Sequence, residues 1–403
     1  MSRVCRWGTA ALVLLLAGGL AFGWRPNPAR AAAETLLIGQ STWVGYGPLF
    51  LARDKRFFDE AGVNVELKTF EDPKSRFFAL VSGKLDGIAT TVDTASLYWS
   101  PEHPFRSVLG LDDSKGGDGI VAIDSIKTIK DLRGKRVAFN KGSVSHFFLS
   151  VLLRENGMTE KDIQGIQMQQ DDAGAAFVAH KVDAAVTWEP WLTRAKRTPG
   201  GHVLVDSSST PGLIVDIVLF RNDVIKNHPD AVKGVVAGWF QAVEYWKKYP
   251  DESDALMAKE VGGWLKDVKT FRETLAGVRF YDQAINKEYF AAGGKIYSTA
   301  QNAIDIWKSF GMIRVNVTPA DLIDPDFVRY GAGRAGVTAP ARPPAREPRP
   351  APGRNPARFP AVFALRLPPA AGAGTPARLS RDGHRQRGGA DRGMVPAELR
   401  QAR

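Results

Sequence analysis

Acidic side chains gather at the ends of apolar runs in this sequence, with tryptophans beside them. Asp93 follows the run Gly87 to Thr91, Glu189 follows Ala184 to Trp188, and Asp216 lies in the returning run Ile214 to Phe220. Asp112, Asp113 and Asp118 flank a glycine loop, LDDSKGGDG, whose acids read equally well as solvated turn residues. Carboxylates meeting Trp43 and Trp188 in one cleft would suit a small nitrogenous cation, through charge-assisted hydrogen bonds and aromatic faces. A sulfonate or nitrate would call for Arg or Lys, and the expected strand ends supply none. Thr91 adds a hydroxyl to this set. The loop Ser41 to Gly47 brings backbone amides, Trp43 and Tyr46 to the same edge, although Tyr46 could as well cover the core. In a second loop, Lys141 to His146, the hydroxyls of Ser143 and Ser145, His146 and the amides of a following helix could hold an anion. Ser143 could equally be only that helix's cap.

Other chemistries lack their patterns. Ser143 or Ser145 with His146 would be a hydrolytic set, but no G-x-S-x-G elbow accompanies it, and His146 opens an apolar helix as a packed residue would. The acids of the glycine loop miss the calcium-loop spacing, with Asp124 where a glutamate belongs. The remaining histidines form no ligand pair at helical spacing, and no G-x-x-x-x-G-K follows a strand. We expect neither metal nor cofactor, and no catalytic residue.

The elements that must position these residues are duplicated. Ser82 to Thr91 reads SGKLDGIATT and Ala179 to Trp188 reads AHKVDAAVTW, so Lys84, Asp86 and Thr90 align with Lys181, Asp183 and Thr187. In both copies an apolar helical run ends in a polar turn and continues as an apolar strand. Upstream, LLIGQSTWVGYGPLFLARDKRFFDEAG and RVAFNKGSVSHFFLSVLLRENG both read as strand, glycine-containing loop, helix and terminal glycine. The first of these predicts a helix from Pro48 to Ala61 and then a strand from Asn64 to Thr69. The predicted fold class is α/β: two lobes, each a mostly parallel sheet with flanking helices, joined by a two-crossing hinge near residues 120 to 125 and 214 to 220. Open sheets of this kind bind ligands beyond their strand ends, so two facing lobes make a cleft. Residues 34–122 plus 218–333 would form the first lobe and 123–217 the second. The tryptophans of the later helices, Trp239, Trp246, Trp264 and Trp307, read as core rather than as a partner surface.

The two ends differ from this core. Residues 1–33 carry Arg3 and Arg6, an apolar run from Ala10 to Trp24, and small residues for a peptidase, which reads as a cleaved export signal. The single cysteine, Cys5, falls inside it, so the exported chain would have no disulfide. Residues 334–403 hold 14 arginines, no lysine and four acids without helix or strand period, and are expected to be a disordered tail. Its composition is what a shifted reading frame of GC-rich DNA yields. The formal charge of +11 therefore resides in the ends, leaving residues 31–333 mildly acidic. No nucleic-acid partner is expected.

The segments GPLFLARDKRFFDEAGVNVEL, FFALVSGKLDGIATT, IKDLRGKRVAFNKGS and VDAAVTWEPW together resemble the solute-binding proteins of the nitrate, sulfonate and taurine class of ABC importers, from about Leu36 to Tyr330. That resemblance implies a type II periplasmic-binding-protein fold and a monomer in the periplasm. It also implies that the lobes close on a small-molecule solute and pass it to a permease in the inner membrane with its cytoplasmic ATPase. The phrases STWVGYGPL, TTVDTASLY, DDSKGGDG and GSVSHFF are further similar to the branch that accompanies guanidine or urea carboxylation, which would imply a guanidinium or urea-like ligand. Pyrimidine-related members carry a cysteine-rich motif that is missing here.

Overall fold

Eleven strands sort into two sheets in the computed structural model, which describes residues 33–329. The expected export signal, apart from Ala33, and the expected tail lie outside those residues. The strands are β1 (Glu34–Gln40), β2 (Val63–Thr69), β3 (Gly87–Thr91), β4 (Phe105–Ser114), β5 (Asp118–Ile123), β6 (Arg136–Phe139), β7 (Gln164–Gln167), β8 (Ala184–Trp188), β9 (Gly201–Asp206), β10 (Val215–Arg221) and β11 (Val278–Phe280). The first sheet has the order β11-β4-β10-β3-β1-β2 and the second β7-β6-β8-β5-β9.

The duplicated units occupy matching places. β1 lies parallel to β2 and β3, and β6 lies parallel to β7 and β8. Each unit then gains an antiparallel strand, β10 against β3 and β5 against β8. The sheets are therefore mixed rather than mostly parallel in their pairings, because β5 and β10 are the strands that enter each sheet from the other. The crossings run through residues 115–117 and 207–214, so residues 122 and 217 fall within strands rather than between sheets. A single hydroxyl ties the crossings together: Ser207 Oγ lies 2.7 Å from Ser114 Oγ and accepts from Gly116 N at 2.7 Å.

The first helix departs from its expected length. It runs from Gly47 to Asp54, stops where Arg56 takes a left-handed φ of 64°, and resumes as Phe57–Glu60. The break turns Phe58 into a fully buried contact with the helix Pro229–Lys248, where a Cβ on Gly238 would stand 2.3 Å from the Phe58 ring. Trp239 and Trp307 are buried without exposure, as core tryptophans should be. Among the described residues no helix is long and apolar enough to cross a membrane.

Candidate functional site

Three neighbouring strand ends of the first sheet place polar side chains in a row. Asp216 at the start of β10 is opposite Thr91 at the end of β3 and Asp112 near the end of β4. From the second sheet, Asp118 at the start of β5 is opposite Trp188 at the end of β8. Between them is a small cavity walled by Thr91, Asp118, Trp188 and Asp216 together with Trp43, Tyr46 and Ser143.

The turn after β1 closes it. Trp43 donates from Nε1 to Asp112 Oδ1 at 3.3 Å, and Tyr46 donates from its hydroxyl to Asp216 Oδ1 at 2.6 Å. The Trp43 ring meets Trp188 edge-on, with centroids 6.3 Å apart, so aromatic rings from both sheets touch across the cavity. Gly45 is required between these bonds. A Cβ there would lie 2.2 Å from both Asp112 Oδ2 and Trp43 Nε1.

Asp112 and Asp113 are not solvated turn residues, since β4 extends through both and both are buried. Burial, with no lysine or arginine paired to them, pushes the carboxyls of Asp93 and Asp118 up to about 7. Burial also raises Asp112, as does the charge of Asp216, and burial raises Asp216 against the opposing hydrogen bond from Tyr46.

Four of the expected residues stand behind the wall rather than in it. Asp93 is buried in the helix Val92–Tyr98, with Oδ2 accepting from Thr94 and its backbone oxygen accepting from Trp307 Nε1. Ser145 is hydrogen-bonded to Ser143, and Asn140 N donates to its hydroxyl. His146 accepts from Gly142 N, pairs through Nε2 with Glu160 and stacks on Phe139, so neither ring nitrogen faces a serine. Glu189 accepts from the backbone and hydroxyl of Thr193, holding the first turn of the helix Trp191–Arg197. Replacing Glu189 with Ala should therefore cost about 1 kcal/mol in urea unfolding while leaving solute affinity unchanged. A selective loss of affinity would return it to the site. Ser143 does both jobs: it walls the cavity, and its hydroxyl caps the helix Val144–Glu155 while accepting from Gln170.

The structure adds a cation that the strand ends do not contain. Arg76, on the helix Pro73–Val81, is buried against the cavity, with Nη1 donating to Phe70 O at 3.0 Å and Nε without a partner. Its neighbour Phe78 is 66% exposed, which inverts the usual rule for a helix face. Glu71 also lines the cavity, with both carboxylate oxygens accepting from Thr42. Among the described residues no group of three or more His, Cys, Asp or Glu could hold a metal ion.

Residues 43–253 match the model of the NMT1/THI5-like family, and the chain belongs to that family. It is 28% identical over 279 residues to the "Putative aliphatic sulfonates-binding protein" of Bacillus subtilis (strain 168), covering 66% of this chain and 83% of that one. The periplasmic aliphatic sulphonate binding protein of Escherichia coli has the same fold, with a TM-score of 0.59 at 23% identity over 73% of this chain and 99% of that chain. So does the periplasmic nitrate-binding protein of Synechocystis PCC 6803, with a TM-score of 0.58 at 17% identity over 73% and 87%. The two-sheet α/β architecture is thus the periplasmic-binding-protein fold.

Proposed function

We propose that this chain is the substrate-binding component of an ABC importer, capturing a small nitrogen- or sulfur-containing solute between its two sheets and delivering it to a membrane permease. The observation that carries this reading is the small cavity bridged by Trp43, from the turn after β1, and Trp188, from β8. The contact between rings across it is what a two-sheet clamp makes on closing. The relatives' names point the same way, as does an N-terminal segment that reads as an export signal to the periplasm.

The protein acts by binding alone. His146 is committed to Gly142 and Glu160, and the Ser143 hydroxyl to a helix cap, so this serine and histidine do not form a nucleophile–base pair. The crossings at residues 115–117 and 207–214 are the hinge of a first lobe built on the six-stranded sheet and a second built on the five-stranded one. The closed form docks as a monomer on the permease, whose cytoplasmic ATPase drives transport.

The test is twofold. The purified chain, incubated with a cell extract and analysed by native mass spectrometry, should retain one small molecule that is released chemically unchanged. A strain lacking the chain should lose uptake of that molecule. Chemical conversion of the retained molecule, or unimpaired uptake without the protein, would overturn the assignment.

A further inference from the structure

The crossing at residues 115–117 has almost no room around it. Neither Gly117 nor Gly277 has a left-handed φ, so each is glycine for space rather than for backbone freedom. A Cβ on Gly117 would stand 2.6 Å from Trp43 Cη2 and 3.0 Å from Gly277 O. One on Gly277 would stand 2.8 Å from Gly117 N and 2.9 Å from Gly117 Cα. Gly277 belongs to the first lobe, in the turn before β11, where Val278 pairs with Ser114 of β4 and Lys115 N donates to Gly277 O at 2.8 Å. Gly117 in turn holds the second lobe's side of the cavity, because its carbonyl accepts at 2.8 Å from the N–H of Glu189, the residue after Trp188. One indole touches both sides. Trp43 donates from Nε1 to Asp112, meets Trp188 edge-on, and has Cη2 against Gly117. The cavity wall is therefore packed directly on a segment that must bend when the lobes move.

Resting on the reading of this chain as a two-lobed solute clamp, we propose that Gly277, which is not part of the cavity wall, is a positioning residue for solute capture. Its missing side chain lets the crossing reach the place where Trp43 and Trp188 meet, so a glycine-to-glycine contact sets how far the lobes close. A methyl at residue 277 would collide with backbone rather than with a flexible side chain, so the crossing itself has to give way. Because Glu189 hangs from Gly117, that displacement draws Trp188 away from Trp43 and holds the cavity open.

A spin-label pair at Lys74→Cys and Gln169→Cys reads lobe closure in the full chain, with Cys5→Ser removing its one native thiol. Both positions are exposed, and each adjoins a residue of the cavity wall, Pro73 in the first lobe and Gln170 in the second. The probe is the small-molecule filtrate of a cell extract. With it the label distance in the parent should shorten, whereas in Gly277→Ala it should not, and that variant should retain about tenfold less solute. A protein that is merely destabilised would unfold earlier in urea and still close. In a Trp43→Phe background the shorter ring leaves Gly117 space to move, so the same methyl should remove less than about half as much of the shortening. Full shortening in Gly277→Ala, or an equal effect of the methyl in both backgrounds, would overturn the inference and leave the importer assignment standing. No shortening in the parent would overturn the clamp reading, and this inference with it.

Discussion

Thermal unfolding of the solute-free protein should move to lower temperature between about pH 5 and about pH 8. Asp93 and Asp118 keep their protons up to about 7 in the folded state, whereas unfolded they release them near the ordinary aspartate value. The folded state therefore binds more protons than the unfolded one through this range. Stability falls as pH rises, by about 1.4 kcal/mol per pH unit for each such group, and levels off once the folded carboxyls have ionised. Asp112 and Asp216 add to the same trend. Surface acids work in the opposite direction. Asp131, Asp162 and Asp183 have lowered pKa values through backbone or arginine hydrogen bonds, so their contribution is lost only on strong acidification. The optimum thus lies on the acid side of neutrality, and the fall toward about pH 8 should amount to several kcal/mol, or roughly 10 °C in Tm. A flat or rising Tm across this range would show that the cavity acids ionise freely.

Replacing Gly45 with Ala should be the most damaging small change in the turn after β1. The added methyl would lie 2.2 Å from Asp112 Oδ2 and from Trp43 Nε1, and both belong to side chains held by β4 and by the opposing ring of Trp188. Relief requires the Trp43 to Asp112 hydrogen bond to open, which adds about 1 kcal/mol to an overpacking cost of about 1–3 kcal/mol. Solute binding should be abolished with it, because the displaced indole is part of the cavity wall. Trp43→Phe removes the donor without adding a Cβ and should be milder in both respects. Equal urea midpoints for Gly45→Ala and the parent would mean that the turn relaxes at no cost.

The duplicated phrase was the most legible part of the chain. Its aspartates do the same task in both copies: Asp86 accepts from Leu37 N in β1 and Asp183 from Arg136 N in β6, each pinning a strand start to its parallel neighbour. That is a local role, and it left a local signature. The copies diverge where the cavity begins, since Thr187 donates to Gln170 O while Thr90 faces the cavity without a partner. Trp43, Tyr46, Thr91, Asp118, Ser143, Trp188 and Asp216 could be picked out because they sit at strand ends or in strand-to-helix loops. Arg76 could not. It lies within an ordinary helical phrase whose exposed Phe78 and buried Arg76 reverse the expected faces, and only the packing of that helix against β1 and β3 decides this. Glu189 and His146 stand behind the cavity wall for the converse reason. Both have the right chemistry near the right strand, but nearby backbone groups and Glu160 claim their polar atoms first.

The path of β10 has a consequence for how the molecule is made. That strand lies between β3 and β4, so without it the first sheet separates into β3-β1-β2 on one side and β11-β4 on the other. All five strands of the second sheet come from residues 118–206, before β10 has emerged from a ribosome or a translocon. The second sheet can therefore zip up from its own contiguous chain, while the facing edges of β3 and β4 wait unpaired for a segment about a hundred residues away, with the larger closure entropy that separation brings. Those two edges are the natural client surface for a holding chaperone during synthesis, and defects in the first sheet should be felt as delayed maturation rather than as a collapse of the whole chain.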